Sequence, residues 1–185
     1  MVRSLMLLVG LGLLTACTSF REVRPGVFRS GQPTEDWLAR RIEQYGMQSV
    51  ICLRGSNDNS APTARAAVGA GIVFASVPMS ATSPPRPATL LELWRLAANA
   101  PRPVLLHCRA GVDRTGLAAA LFVLHDTGDL ALARAQLALL PHGHLALFGQ
   151  QAMDAVLDRY EPHHGKLSFP DWVQQVYAAE FAARR

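Results

Sequence analysis

His107-Cys108-Arg109-Ala110-Gly111-Val112-Asp113-Arg114-Thr115-Gly116 is a Cys-x5-Arg-Thr stretch set between two apolar runs, Pro103-Val104-Leu105-Leu106 before it and residues 116–124 after it. The first run has the length of a buried strand and the second continues as a helix, so Cys108 is expected at the mouth of the loop that joins them. A helix starting there turns unpaired backbone N–H groups and a partial positive charge toward the loop, which suits a bound dianion. The backbone of Arg109, Ala110, Gly111, Val112 and Asp113 is long enough to curl around a phosphate with the thiol beneath it. Arg114 then closes on the equatorial oxygens through two parallel N–H bonds.

Outward from this loop, strand-like and helical segments alternate. Residues 23–33 read as an edge strand and turn. Thr34 is an N-cap for a helix with Glu35 and Asp36 in its first turn, and Gly46 ends it. Strands are expected at 48–53, 72–78 and 104–107, and helices at about 62–70, 87–98, 115–125, 129–140, 145–160 and from 168 onward. Strands separated by helices imply an α/β fold, a mostly parallel central sheet flanked by helices on both faces. Trp37, Trp94 and Trp172 fall on the helical segments and are expected in the core.

At 185 residues, 50% of them hydrophobic, the chain suffices for one core, with roughly 70% of its surface buried on folding. The net charge of +4 is spread along the chain instead of clustered, so nucleic acid is not an expected partner. Met1-Val2-Arg3 followed by an apolar stretch over residues 5–14 reads as a secretory signal, too short to span a bilayer as a helix. Leu14-Thr15-Ala16-Cys17 resembles the lipobox of bacterial lipoproteins. That resemblance implies cleavage after residue 16, a diacylglycerol on Cys17, and a periplasmic location on the outer membrane, since Thr18 is not the Asp that retains lipoproteins at the inner one. The expected organisation is a signal peptide over 1–16, a lipidated Cys17 with a short tether over 17–24, and one domain over 25–185, as a monomer.

The loop as a whole resembles that of the protein tyrosine phosphatase superfamily, His-Cys-x2-Gly-x2-Arg-Ser/Thr-Gly, and meets each of its fixed positions. Phe28-Arg29-Ser30-Gly31-Gln32-Pro33-Thr34 and Ser49-Val50-Ile51-Cys52-Leu53-Arg54 resemble the opening segments of bacterial dual-specificity-like phosphatases. The resemblance covers roughly residues 24–160. It implies a phosphatase fold of the dual-specificity type and hydrolysis of phosphate monoesters on phosphotyrosine or dual-specificity protein substrates. Cys108 would be the nucleophile, Arg114 and the loop amides the anion clamp, Thr115 a donor to the departing thiolate, and His107 a support beneath the loop. Helix N-termini with nearby cations lower cysteine pKa values toward ~5, which favours a thiolate in such a place. No metal or cofactor is called for. Phosphoinositides or inositol phosphates remain an alternative substrate class, because lipid-active relatives also end their loops Asp-Arg-Thr-Gly. A phosphate-binding pseudoenzyme is the alternative outside enzymes.

One expected residue is missing. The family commonly places an acid on the loop before the catalytic strand, whereas that loop here reads Val77-Pro78-Met79-Ser80-Ala81-Thr82-Ser83-Pro84-Pro85, with Ala81 at the Asp position by resemblance. Leaving-group protonation is worth roughly 10²–10⁴-fold, so another group is needed. Asp113 is the best-placed carboxylate, Asp58 a second candidate, and a purely structural Asp113 the alternative. Cys52 and Cys108 end two predicted strands, which makes Cys52 a candidate redox partner if those strands are neighbours; a small buried core residue is the competing reading. His142, His144, His163 and His164 lack partners at metal-ligand spacing and read as solvated loop histidines, and Arg54 as either a substrate contact or a surface ion pair.

Overall fold

The computed structural model describes residues 20–55, 60–144 and 151–183. Five strands form one sheet: β1 (Arg21–Arg24), β2 (Val27–Ser30), β3 (Ser49–Cys52), β4 (Val73–Ser76) and β5 (Val104–His107). Their order is β1-β2-β5-β3-β4, with β1 antiparallel to β2 and the remaining pairs parallel. The catalytic-type strand β5 is therefore central, and its C-terminal end lies beside those of β2 and β3. Ligands of parallel α/β sheets bind at this end.

Alternation along the buried strands feeds two cores. Phe28, Val50 and Leu105 face helices α1 (Glu35–Tyr45) and α2 (Ala61–Gly69), while Val27, Ile51, Val104 and Leu106 face α3 (Pro87–Asn99) and α4 (Asp113–Thr127). Helix α1 is bounded as its sequence dictates, by the Thr34 hydroxyl accepting from the Trp37 N–H at one end and a left-handed Gly46 at the other. Ten consecutive residues of α4, Thr115 through Leu124, are buried, so this helix is the hub of the second core. The fold class is the one expected: α/β, with helices on both faces of a mostly parallel sheet.

Two local expectations need correction. The segment 23–33 is a hairpin whose β1 arm is the edge; β2 is an interior strand, and its polar appearance comes from Arg29, which is buried at 1% exposure because it serves the phosphate loop. The helix expected over 129–140 stops early: α5 (Leu130–Arg134), capped by Asp129, passes into a 3-10 turn over Ala135–Leu137, where Arg29 draws off the Gln136 carbonyl. Next come a kinked turn, α6 (Leu139–His142), and α7 (Gln151–Tyr160). Finally, α8 (Phe169–Trp172) runs on through a π-helical turn, Val173–Tyr177, into α9 (Ala178–Ala182). Trp172 is fully buried in the second core, while Trp37 and Trp94 lie half-buried at its margins and those of the first. Among the described residues no helix is long and apolar enough to cross a membrane. Cys17 and the signal-like stretch lie outside the described residues, as does Asp58.

Candidate active site

Strand β5 delivers His107 and Cys108 to the C-terminal end of the sheet, and α4 begins five residues later, so the loop is closed by secondary structure on both sides. Cys108 is 2% exposed, and the Gly111 N–H donates to its sulfur at 3.2 Å. The amide proton and the N-terminus of α4 both bring partial positive charge to the sulfur. Gly111 cannot be replaced without disruption: its φ is +76°, and a Cβ there would stand 2.5 Å from both Gly31 N and Ser30 C.

The loop is held open by a buried cation. Arg29 donates through Nη2 to the carbonyls of Gly111 (3.0 Å) and Val112 (3.2 Å), and through Nη1 to the Gln136 carbonyl (3.0 Å). Pulling loop carbonyls inward leaves the opposite edge of those peptides, the N–H edge, for an anion. Burial pushes Arg29 down to about 10, opposed by the charge of Cys108, so it stays cationic at neutral pH. A second strut runs from the Gln32 N–H to the Arg109 carbonyl (2.9 Å). Arg29 and Gln32 both lie in the Phe28–Thr34 stretch that resembles the family's opening segment, but the motif assigns neither of them a role. The signal was there in a charged residue inside an otherwise strand-like run.

Arg114 projects from the first turn of α4 and donates to the Met79 carbonyl at 3.3 Å. This fixes the loop after β4 against the site and shows that the stretch lacking a carboxylate is indeed the neighbouring one. That loop is propped from behind by the Tyr177 hydroxyl, which donates to the Pro85 carbonyl at 2.8 Å. The C-terminal helix thus supports the site, although nothing in its sequence indicates it. Alongside lies an open cleft of about 1010 Å³ lined by Gly55, Pro78, Met79, Pro84, Arg86 and Phe181 among others. Thr115 is fully buried and its hydroxyl has no hydrogen-bond partner among the described residues.

Asp113, the first residue of α4, accepts at Oδ1 from a ring nitrogen of His144 (Nδ1, 2.7 Å), and the other ring nitrogen of His144 lies 2.7 Å from Asp154 Oδ2 on α7. The expectation of a solvated His144 is overturned: the residue is 3% exposed, buried by the carboxylate on each side of it. His142 is half-buried, and burial together with the charge of Arg29 pushes it down to about 4. His164 is exposed and lies 2.9 Å from the Gly128 carbonyl. Arg54 donates to Gln32 Oε1 at 3.0 Å.

Strands β3 and β5 are neighbours, as a Cys52–Cys108 pairing requires, but Cys52 stands opposite His107. Alternation then sends Cys52 toward the α1–α2 face and Cys108 toward the α3–α4 face, and both thiols are free. Burial pushes the Cys52 thiol up, which keeps it protonated.

His107 is fully buried, and burial pushes it down to about 4. Its unfolded value of 6.5 is higher, so between those values the unfolded chain binds the extra proton and stability falls as pH drops from about 6.5 to 4, by about 3 kcal/mol for this residue. His107→Asn is expected to flatten that limb of the stability–pH curve measured by denaturant unfolding; an unchanged slope would mean that His107 does not titrate this way.

This fold and loop are those of the dual-specificity/PTP-like phosphatase superfamily. The chain belongs to the family described as DSP-PTPase phosphatase fused to NAD+ kinase, which it matches over residues 17–139. Among solved structures it is similar to Pseudomonas aeruginosa TpbA (TM-score 0.63, 21% identity, covering 88% of this chain and 91% of that one). It is similar also to a putative phosphatase of Shewanella putrefaciens (TM-score 0.63, 18% identity, 80% and 92% covered) and to the core catalytic domain of the Saccharomyces cerevisiae PP-IP phosphatase SIW14 (TM-score 0.56, 22% identity, 80% and 94% covered). No curated protein matches the chain by sequence.

Proposed function

We propose that this protein hydrolyses phosphate monoesters through a thiophosphate on Cys108. The observation that carries this is the sulfur of Cys108 beneath the loop, accepting the Gly111 N–H, with Arg114 on the adjoining turn. The thiolate attacks phosphorus in line, the loop amides and Arg114 stabilise charge on the equatorial oxygens, and water then releases phosphate. Asp113 is the general acid, since the loop that would carry one beside Arg114 has none. Phosphotyrosine or dual-specificity protein substrates are the favoured class, in keeping with the TpbA structure in complex with pTyr. Inositol phosphates are the second reading, in keeping with the name of SIW14 as a PP-IP phosphatase. Phosphate release from phosphotyrosine, phosphoserine and phosphoinositides, measured on the full chain in detergent, separates them: the highest kcat/KM on phosphotyrosine is the expected result, and a preference for phosphoinositides would reverse the order.

Anchoring through a lipid on Cys17 belongs to the same proposal. Phe20 stacks on Phe28 with ring centroids 5.3 Å apart, and Arg21 pairs with Arg29 at the end of the sheet that bears the phosphate loop. Three peptide units from Cys17 to Phe20 reach at most about 11 Å, so a lipid there holds the mouth of the site close to the outer-membrane surface on its periplasmic side. Cys17→Ser is expected to abolish detergent partitioning and leave soluble-substrate turnover intact. Partitioning that persists in Cys17→Ser, or a mature protein without lipid by mass spectrometry, would remove the anchor.

A further inference from the structure

The Asp113–His144–Asp154 chain is a part-buried network of titratable side chains that begins inside the phosphate loop and leads away from it. It runs from α4 through the segment before α7 and into α7, with side-chain exposures of 15%, 2% and 27% in that order. The family match ends at residue 139, so His144 and Asp154 lie beyond the matched residues. Building on the phosphatase reading above, we propose that His144, held by Asp154, is a positioning residue that loads Asp113 with the proton it gives to the leaving group.

Proton counting carries the argument. Each of the two 2.7 Å contacts joins a ring nitrogen to a carboxylate oxygen, and each needs one proton between its atoms. With both protons on the ring, Asp113 and Asp154 are carboxylates facing an imidazolium. With the Nδ1 proton moved across, Asp113 is a carboxylic acid, His144 is neutral, and Asp154 still accepts from Nε2. The two forms have the same net charge and differ by one short proton transfer. An isolated aspartate must instead take its proton from solvent at a pH near 3.9, leaving few molecules in the acid form at neutrality. The transferred proton sits on Oδ1, and rotation of that O–H about the C–O bond turns it from Nδ1 to the ester oxygen of the substrate.

The reaction then balances. In the first step the Cys108 sulfur–phosphorus bond forms, the bond from phosphorus to the ester oxygen breaks, and Asp113 gives its proton to that oxygen. In the second, water oxygen bonds phosphorus, the sulfur–phosphorus bond breaks to restore the thiolate, and a water proton returns to the Asp113–His144 pair. Asp154 fixes the ring with Nδ1 toward Asp113, in the way second carboxylates orient catalytic histidines.

The test is a leaving-group series on the full chain: phenyl phosphate and dinitrophenyl phosphate as the two extremes, with Asp113→Asn, His144→Gln, Asp154→Asn and the Asp113→Asn/His144→Gln double variant. Gln keeps a donor and an acceptor at position 144 but cannot carry the proton. His144→Gln is expected to lower kcat on phenyl phosphate by roughly 10²-fold, leave kcat on dinitrophenyl phosphate and both KM values close to wild type, and add little to the loss in Asp113→Asn. Asp154→Asn should show the same selectivity at smaller size. Equal losses on both substrates in His144→Gln and Asp154→Asn, or no loss, would overturn the relay while a leaving-group-selective Asp113→Asn leaves Asp113 as the acid. Equal losses on both substrates in Asp113→Asn itself would remove the acid assignment, and the relay with it.

Discussion

Cys108→Ser is expected to lower phosphate release by roughly 10⁴-fold or more, because a serine hydroxyl at neutral pH is a far weaker nucleophile than a thiolate. The substitution removes almost nothing else. The side chain is 2% exposed and close in size, and the Gly111 N–H at 3.2 Å finds an oxygen acceptor in place of sulfur. The loop should keep its shape and the variant should still hold substrate, so binding of a non-turned-over phosphate ester, measured by calorimetry, is expected to survive. Loss of both binding and turnover would mean that the sulfur is needed for the loop's structure and would leave its chemical role undemonstrated. Retained turnover would end the cysteine mechanism.

Arg29→Met is expected to have the largest effect on stability, roughly 3–5 kcal/mol, since it removes a buried charge and strands the carbonyls that charge had satisfied. Those carbonyls belong to Gly111, Val112 and Gln136, which are the phosphate loop and the turn behind it. Arg29→Lys should recover only part of the loss, because an ammonium cannot span the Gly111 and Gln136 carbonyls with the geometry of the guanidinium fork. Activity should fall further than the folded fraction does, as the loop amides are no longer turned outward. Denaturant unfolding and turnover measured on the same preparations check both. A wild-type unfolding midpoint in Arg29→Met would contradict the view that this guanidinium suspends the loop.

The parts of the fold written in short-range patterns were legible in the sequence. Thr34 and Gly46 bound a helix because capping is a local matter, and Pro103-Val104-Leu105-Leu106 could only be a buried strand feeding the Cys-x5-Arg loop. The loop's own residues were legible for the same reason, since Gly111 and Arg114 act within a few residues of Cys108. What did not show were contacts made across the fold. Arg29 lies far from Gln136 in sequence, and it is buried on an interior strand where an edge strand was expected. His144 read as a loop histidine because its two carboxylates come from different helices, one of them inside the loop motif itself. Tyr177, on the final helix, meets Pro85 only once the sheet has been wrapped. Alternation also separates what linear reasoning brought together: the neighbouring strands that carry Cys52 and Cys108 put those thiols on opposite faces.

The most direct test of the central claim is to mix the full chain with a rapidly hydrolysed aryl phosphate, quench within a turnover, and map the covalent adduct by mass spectrometry. One phosphoryl group on the peptide containing Cys108, absent in Cys108→Ser and prolonged where water attack is slowed by Asp113→Asn, is the predicted result. Phosphate released at an undiminished rate by Cys108→Ser, or a phosphoryl group found on another residue, would contradict it.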